Sequence, residues 1–409
     1  MAEGDIIIIG GGPAGMMAAI KAAETLGSGT RIRLYDKNER LGRKIYLTGR
    51  GRCNLTNSRP WNEFSEHIHP SAAFFESAFR SFSNEATVRF FESIGVPCVE
   101  LQGKRIFPSS MRAADVAQAL ERRVEESGVE VLRGISVSPS DLLLKEAGAL
   151  IIATGGKSYP ATGSTGDGYA MAETLGHTVT RLFPSETALH PREYSSIFSG
   201  EDFASGAVEV KNAGLSLRVD KDIVQTEQGD FNFTGDGLES GIAYWISRKA
   251  VWAMLNGQKV EVTLDLKPAL SHEKLAARIA RDVCEAHGKP QMAKILRGLL
   301  PESLIDAFRR ANPDLSFENL ASRLKNWNFR IDGYKGYERA VVTAGGVCLK
   351  EIVPKTLASR IRKGLFFAGE VLDLDGDTGG YNLQIAISTG ALAGVSAAKY
   401  IQRSRLCEE

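Results

Sequence analysis

The chain has 409 residues, 43% hydrophobic and 24% charged, the balance of a globular protein with room for about two or three domains. Its net charge is +1 with the two signs interspersed, which argues against nucleic acid or a membrane surface as partner, since both draw on a basic excess. The five cysteines, at 53, 98, 284, 348 and 407, include no CxxC pair, which argues against structural zinc and a disulfide framework and fits a reducing, cytoplasmic compartment.

"DIIIIGGGPAGMMAAIKAAETLG" comes first. Four consecutive isoleucines predict a strand buried on both faces, as in a parallel sheet. The run is too short for a signal peptide, and no apolar stretch in the chain approaches a membrane span. Pro13 suits a first helical turn, Ala14 to Leu26 read as a helix, and "RIRLYD" is a second strand. "SAAFFESAFRSFSNEATVRFFESIG" has aromatics at helical spacing, "AADVAQALERRVEESG" is an amphipathic helix, and "VEVLRGISV" and "GALIIATGG" are strands. A Gly-rich loop, "YPATGSTGDGYAMAETLGH", feeds a further helix.

From about Pro184 to Leu266 alternation, as in "GAVEVKNAGLSLRVD" and "VEVTLDL", predicts antiparallel strands. Ser271 to about Lys325 is helical and charged, and "RAVVTAGGV" and "GLFFAGEVLDLDGDTGGYNLQIAISTGALAGVSAAKYI" return to strands, glycines and a last helix. The order predicts an α/β fold in which a discontinuous first domain receives an insertion.

Gly10-x-Gly12-x-x-Gly15 falls between a strand and a helix, the context in which that spacing is informative. The first glycine permits the turn, the second lets a pyrophosphate approach, and the third lets helix pack on strand. The helix N-terminus offers free N–H groups and partial positive charge to phosphates. Asp36 closes the second strand about 20 residues later, where an acid takes ribose hydroxyls. NAD and FAD both satisfy this pattern. "IIATGG" (Ala153, Thr154, Gly155) and "GLFFAGEVLD" (Gly369, Glu370) repeat the strand-into-glycine form, and "GGYNLQ" begins a helix near Gly380. A second helix N-terminus aimed at the site would favour the negative charge of a reduced flavin. The alternative for this last segment is a domain-closing strand and helix with a glycine hinge.

"GRKIYLTGRGRCNLTN", "GKRIFPSS", "TGSTGDGYAMAETLGH", "VVTAGGVCLKEIVPKTLASR" and "GLFFAGEVLDLDGDTGGYNLQIAISTG" together resemble the signatures of a bacterial flavoprotein family. Its members are named NAD(P)/FAD-dependent oxidoreductases, aminoacetone oxidases and dehydro-bile-acid reductases. The resemblance covers most of the chain and is weakest in the helical insert. It implies non-covalent FAD in a Rossmann-like domain (1–184 and 346–409), a β-barrel-like insert (185–268 and 327–345) and a small helical domain (269–326).

The resemblance also implies cofactor contacts from Gly10, Gly12, Pro13, Ala14, Gly15, Asp36 and Lys37, from Ala153, Thr154 and Gly155, and from Gly369, Glu370, Gly380, Tyr381, Asn382 and Leu383. Arg43, Lys44, Thr48, Gly49, Arg52, Cys53 and Asn54 should line the flavin side. Val137 would contact adenine or be an ordinary strand valine. Glu370 would take a ribityl hydroxyl or be a solvated strand-end acid. Cys53 lacks the partner cysteine of flavin disulfide reductases, since Ser58 stands there, and reads as a small packed residue. Arg50, Arg52 and Tyr381 are the candidates for catalysis. No metal site is expected: Asp375 and Asp377 lack the ligand run and closing Glu of an EF-hand. His67 and His69 read as solvated.

Gly235 and Ile242 replace a histidine and a proline of a family motif in "GDFNFTGDGLESGIAYW", so the substrate of named relatives does not transfer directly. The expected activity is hydride transfer between flavin N5 and a small organic substrate held between cofactor domain and insert. Its reductase form would saturate an activated double bond, with NAD(P)H visiting as donor. Its oxidase form would pass electrons from an amine to oxygen. A flavin-binding redox sensor or RNA-modification accessory is the reading from another class.

Overall fold

A computed structural model describes residues 5–27, 30–138, 148–204, 206–285 and 291–406; Cys407 and the end of the predicted helix "HEKLAARIARDVCEAHG" lie outside them. The chain forms two compact units, Met1–Phe183 with Val341–Glu409, and Pro184–Ala340.

The first unit is built on β1 (Ile6–Ile9), α1 (Pro13–Leu26) and β2 (Ile32–Tyr35). All four β1 isoleucines are buried, because β1 lies in the middle of a parallel five-stranded sheet. The strand order is Leu365–Phe367, Ala149–Ile152, β1, β2, Glu130–Leu132. Each neighbour pair is parallel. Gly10 is required at the end of β1: its φ is +105°, and a Cβ there would meet the Ala153 carbonyl oxygen at 2.4 Å. The outermost strand, Leu365–Phe367, comes from the far end of the sequence, and the C-terminal helix Tyr381–Leu406 packs on α1.

The aromatic run predicted as helical forms two helices, Ala72–Ser81 and Asn84–Ser93. Ser71 and Ser83 cap them, each side chain accepting a backbone N–H at 3.2 Å, and the second cap makes the break.

The second unit is a closed barrel. Its strands run, in spatial order, Leu189–Pro191, Gly237–Leu238, Asp222–Thr234, Val208–Val219, Val260–Asp265 and Trp327–Tyr334. Closure removes the exposed edges that an open sheet would leave. The alternation read from "GAVEVKNAGLSLRVD" puts Val208, Val210, Leu215 and Leu217 in the interior. Between the predicted strands lies the helix Gly241–Leu255, which the alternation did not indicate. Ser240 caps it by accepting the Ala243 N–H at 3.1 Å, and Ile242, Ile246, Ala250 and Val251 recur at helical spacing on its buried side. The charged helices His272–Cys284, Met292–Arg297, Glu302–Ala311 and Leu320–Lys325 lie in this same unit. Buried Phe308 meets the barrel's Trp327 edge-on at 5.1 Å between ring centroids.

Candidate dinucleotide site

From β1 the parallel sheet continues to β2 on one side and to Ala149–Ile152 on the other, so strand order reverses beside β1. Open parallel sheets bind ligands outside the carboxyl ends of their strands at such a switch point. A cavity lies there, with about 190 Å³ open to the centres of water molecules. The residues that follow the five strands reach it: Gly10, Asp36 and Lys37, Ile135 to Val137, Ala153 to Gly155, and Gly369 with Glu370. Gly12, Pro13 and Ala14 bring the N-terminus of α1, and Asn382 and Leu383 bring the first turn of the C-terminal helix. Each turn presents N–H groups that make no bond within the helix, and positive potential.

Asp36 is oriented before any ligand arrives. Its Oδ2 accepts the Gly11 N–H at 2.7 Å, and its Oδ1 accepts the backbone N–H of Asn38 at 2.7 Å and its amide at 2.9 Å. A carboxylate has about four acceptor sites, so capacity for a hydroxyl remains. Lys37 donates to Asp167 and Thr165, both at 2.5 Å. Burial works to raise the Asp167 carboxyl, but the bonds from Lys37 and Thr165 hold it below the usual range. Arg43 donates to the Asn38 side chain at 2.7 Å. Lys44 and Glu370, on elements 326 residues apart, pair at 2.9 Å, and the other Glu370 oxygen accepts the Thr343 N–H at 2.8 Å.

One observation tests whether a dinucleotide fits. Beyond its chain neighbours, a Cβ built on Gly12 meets no atom within 4 Å although Gly12 lines the cavity, so the space beside it is left for something other than protein, as an approaching pyrophosphate requires. The buried Thr154 hydroxyl oxygen points toward Gly168.

Gly10, Gly12, Pro13, Ala14, Asp36, Lys37, Arg43, Lys44, Thr48, Val137, Ala153, Thr154, Gly155, Gly369, Glu370, Asn382 and Leu383 are thus brought together from the expected set. The others stand outside the cavity wall. Gly15 packs α1 on β1, where a Cβ would lie 1.8 Å from the Gly10 carbonyl oxygen. Gly380 abuts the Thr56 backbone, which a Cβ would meet at 2.4 Å. Tyr381 is 1% exposed, its ring stacked on His67 and its hydroxyl accepting from Arg59 at 3.1 Å.

The loop "LTGRGRCNLTN" is a left-handed turn: Gly49, Arg50, Gly51 and Cys53 all have positive φ. Arg50 and Arg52 are exposed at its tip, the latter lying over the Phe107 ring at 5.3 Å. Cys53 is fully buried, and burial pushes its thiol up to about 12. Asn54 sits behind the turn, its backbone N 2.9 Å from a Cβ built on Gly49. His67 and His69 are partly buried rather than solvated: both engage Asp377, at 2.9 and 3.0 Å.

The reading of residues missed Asn38, Ile135, Ser136, Asp167 and Leu374, all of which line the cavity. The Gly-rich loop before Asp167 was a visible signal, but its sequence did not say which strand end it would cover.

Fold and crevice define a dinucleotide-binding protein of Rossmann-like fold. The chain belongs to the family described as HI0933-like protein Rossmann domain, which matches residues 4–396. A 3-dehydro-bile acid delta(4,6)-reductase from Clostridium scindens is 31% identical, over 96% of this chain and 98% of its own. Ribosomal RNA dihydrouridine synthases are also similar. That of Haemophilus influenzae is 28% identical over 96% of this chain and 98% of its own, and that of Escherichia coli 29% over 94% and 96%.

Proposed function

We propose that the cavity binds FAD non-covalently and that the protein reduces a carbon–carbon double bond conjugated to a carbonyl, with NAD(P)H as the visiting electron donor. The carrying observation is the set of strand ends from Asp36 to Glu370 around one cavity, whose wall also includes two helix N-termini. Asp36 would take the adenosine ribose, the turn Gly10–Gly12 and the start of α1 the pyrophosphate, and Val137 the adenine. Thr48, Lys44, Glu370 and the Asn382–Leu383 turn would face the flavin end. Bound flavin supplies two-electron hydride chemistry, and the protein supplies position and field. The N–H groups of the helix turn would put positive potential where reduced flavin gathers negative charge, while the Lys44 ammonium is balanced by Glu370 at 2.9 Å.

The reductase direction draws on the relatives. A delta(4,6)-reductase of a 3-dehydro acid and a dihydrouridine synthase make one shared change, the saturation of a double bond next to a carbonyl. Because two relatives act on ribosomal RNA, the substrate class is the point to test. Amine oxidation and a non-turnover flavin sensor are the competing outcomes. No helix among the described residues is long and apolar enough to cross a membrane. With cysteine usage of a reducing compartment, we assign the protein to the cytoplasm.

The test starts from purified holoprotein, which should be yellow. Anaerobic reduction by NADPH is followed by mixing with a 3-oxo-Δ4 steroid, a uridine-containing RNA, or oxygen. Rapid reoxidation by one of the first two, with saturated product, supports the reading. Reduction by aminoacetone with reoxidation by oxygen alone would replace it with the oxidase. A bound flavin that turns over with none of them would leave the sensor.

A further inference from the structure

Resting on FAD in this cavity, we propose that His67, His69 and Asp377 are positioning residues whose protonation tightens the loop at the flavin end of the site. The loop runs from Leu374, which lines the cavity, to the start of the C-terminal helix. Asp375 and Gly376 pair antiparallel with His69 and Ile68. Asn382, in the cavity wall, holds Gly376 at both ends, its amide oxygen accepting the Gly376 N–H at 2.8 Å and its NH₂ donating to the Gly376 carbonyl at 2.6 Å. The Asp377 N–H donates to the His67 carbonyl at 3.0 Å. Both ends of this loop therefore carry wall residues, and Asp377 fastens its middle through its side chain.

Both oxygens of one carboxylate are taken by imidazole nitrogens, Oδ2 by Nδ1 of His67 and Oδ1 by Nε2 of His69. All three side chains are partly buried, at 20%, 28% and 18% exposure. Two donations fix the tautomers as Nδ1–H and Nε2–H, so the bonds persist when the rings are neutral. Protonation turns them into ion pairs, which are roughly twice as strong. Among the described residues no group of three or more His, Cys, Asp or Glu side chains is arranged to hold a metal ion.

Charged and titratable groups among the described residues also face the cluster. Tyr381 stacks on His67 and accepts from Arg59, whose Nε faces Glu63 at 3.6 Å. Asp375 is buried on the neighbouring strand. Burial pushes the Tyr381 hydroxyl up to about 12, so it stays neutral through the histidine range. Burial acts to raise the Asp377 carboxyl, but the two imidazole bonds hold it below its usual value and it stays an anion. Histidine is the side chain that ordinarily changes charge between pH 5 and 8.

FAD affinity of the apoprotein, measured by flavin fluorescence quenching from pH 5.5 to 8.5, tests the proposal. Wild type should bind roughly five- to tenfold more tightly at the acid end, the scale of a charge-assisted over a neutral hydrogen bond. The double variant His67→Asn, His69→Gln keeps a donor at each position but cannot be protonated. It should match wild type at pH 8.5 and lose the acid gain. Asp377→Glu should keep the gain in part. A flat wild-type profile, or a gain that survives in the double variant, overturns the proposal. Failure of wild type to bind FAD at any pH would instead sink the cofactor reading on which it rests.

Discussion

Gly390 of the C-terminal helix lies against Ala14 of α1 so closely that a Cβ on it would stand 2.2 Å from the Ala14 carbonyl oxygen. One turn on, Gly394 repeats the relationship with Ala18, again at 2.2 Å. Two small residues four apart let two helix backbones touch. The contact also ties the two ends of the sequence into one site, because Ala14 and, two turns before Gly390, Asn382 both line the cavity. Gly390→Val should push the helices apart, lower stability by about 1–3 kcal/mol as an overpacked core does, and reduce bound flavin. Melting temperature and the ratio of flavin to protein absorbance read both effects, and an unchanged melting point would count against the contact.

Gly12→Val should do the opposite: keep the fold and lose the cofactor. Its φ of −74° is one any residue adopts, and no protein atom lies within 4 Å of the added Cβ. Circular dichroism and melting should stay near wild type while the purified protein is colourless. A yellow Gly12→Val protein would mean that the pyrophosphate lies elsewhere.

Asp36→Ala should weaken adenosine binding by about 1–3 kcal/mol, the worth of a hydrogen bond to a charged group. The loss should appear with ADP as a competing fragment and be absent with riboflavin, because Asp36 is proposed to hold only the ribose of the adenosine. Equal losses for both fragments would point to collapse of the turn, since Gly11 and Asn38 also donate to this carboxylate.

Cys53 should be inert. Its thiol is buried and pushed up to about 12, so almost no thiolate exists near neutrality. Iodoacetamide at pH 8 should label exposed Cys284 well before Cys53, as read by peptide mass spectrometry of the native protein. Early labelling of Cys53 would reopen a redox role for it.

Asp377 gives a prediction on acid stability. Its folded carboxyl lies below the ordinary value of 3.8, so the anion's bonds contribute stability in full above that value and lose it as pH falls through the lower folded one. Asp377→Asn should cost about 1–2 kcal/mol at pH 7, with the difference shrinking toward pH 3. Urea midpoints at the two pH values measure it, and a cost that persists unchanged in acid would assign it to packing.

The sequence by itself determined the frame of the site. Four isoleucines running into Gly10-x-Gly12-x-x-Gly15, with Asp36 at the end of the next strand, are local patterns whose chemistry is carried by neighbouring residues. The strand-into-glycine repeats at Ala153 and Gly369 were legible for the same reason. What only the tertiary structure decided depends on residues far apart in the chain. The Lys44–Glu370 pair, the grip of His67 and His69 on Asp377, and the contact of Gly390 with Ala14 each join segments some 300 residues or more distant. Tyr381 and the tip arginines show the limit from the other side. Their motifs were visible, but exposure and cavity wall are set by how one backbone packs on another. No periodicity or spacing encodes that.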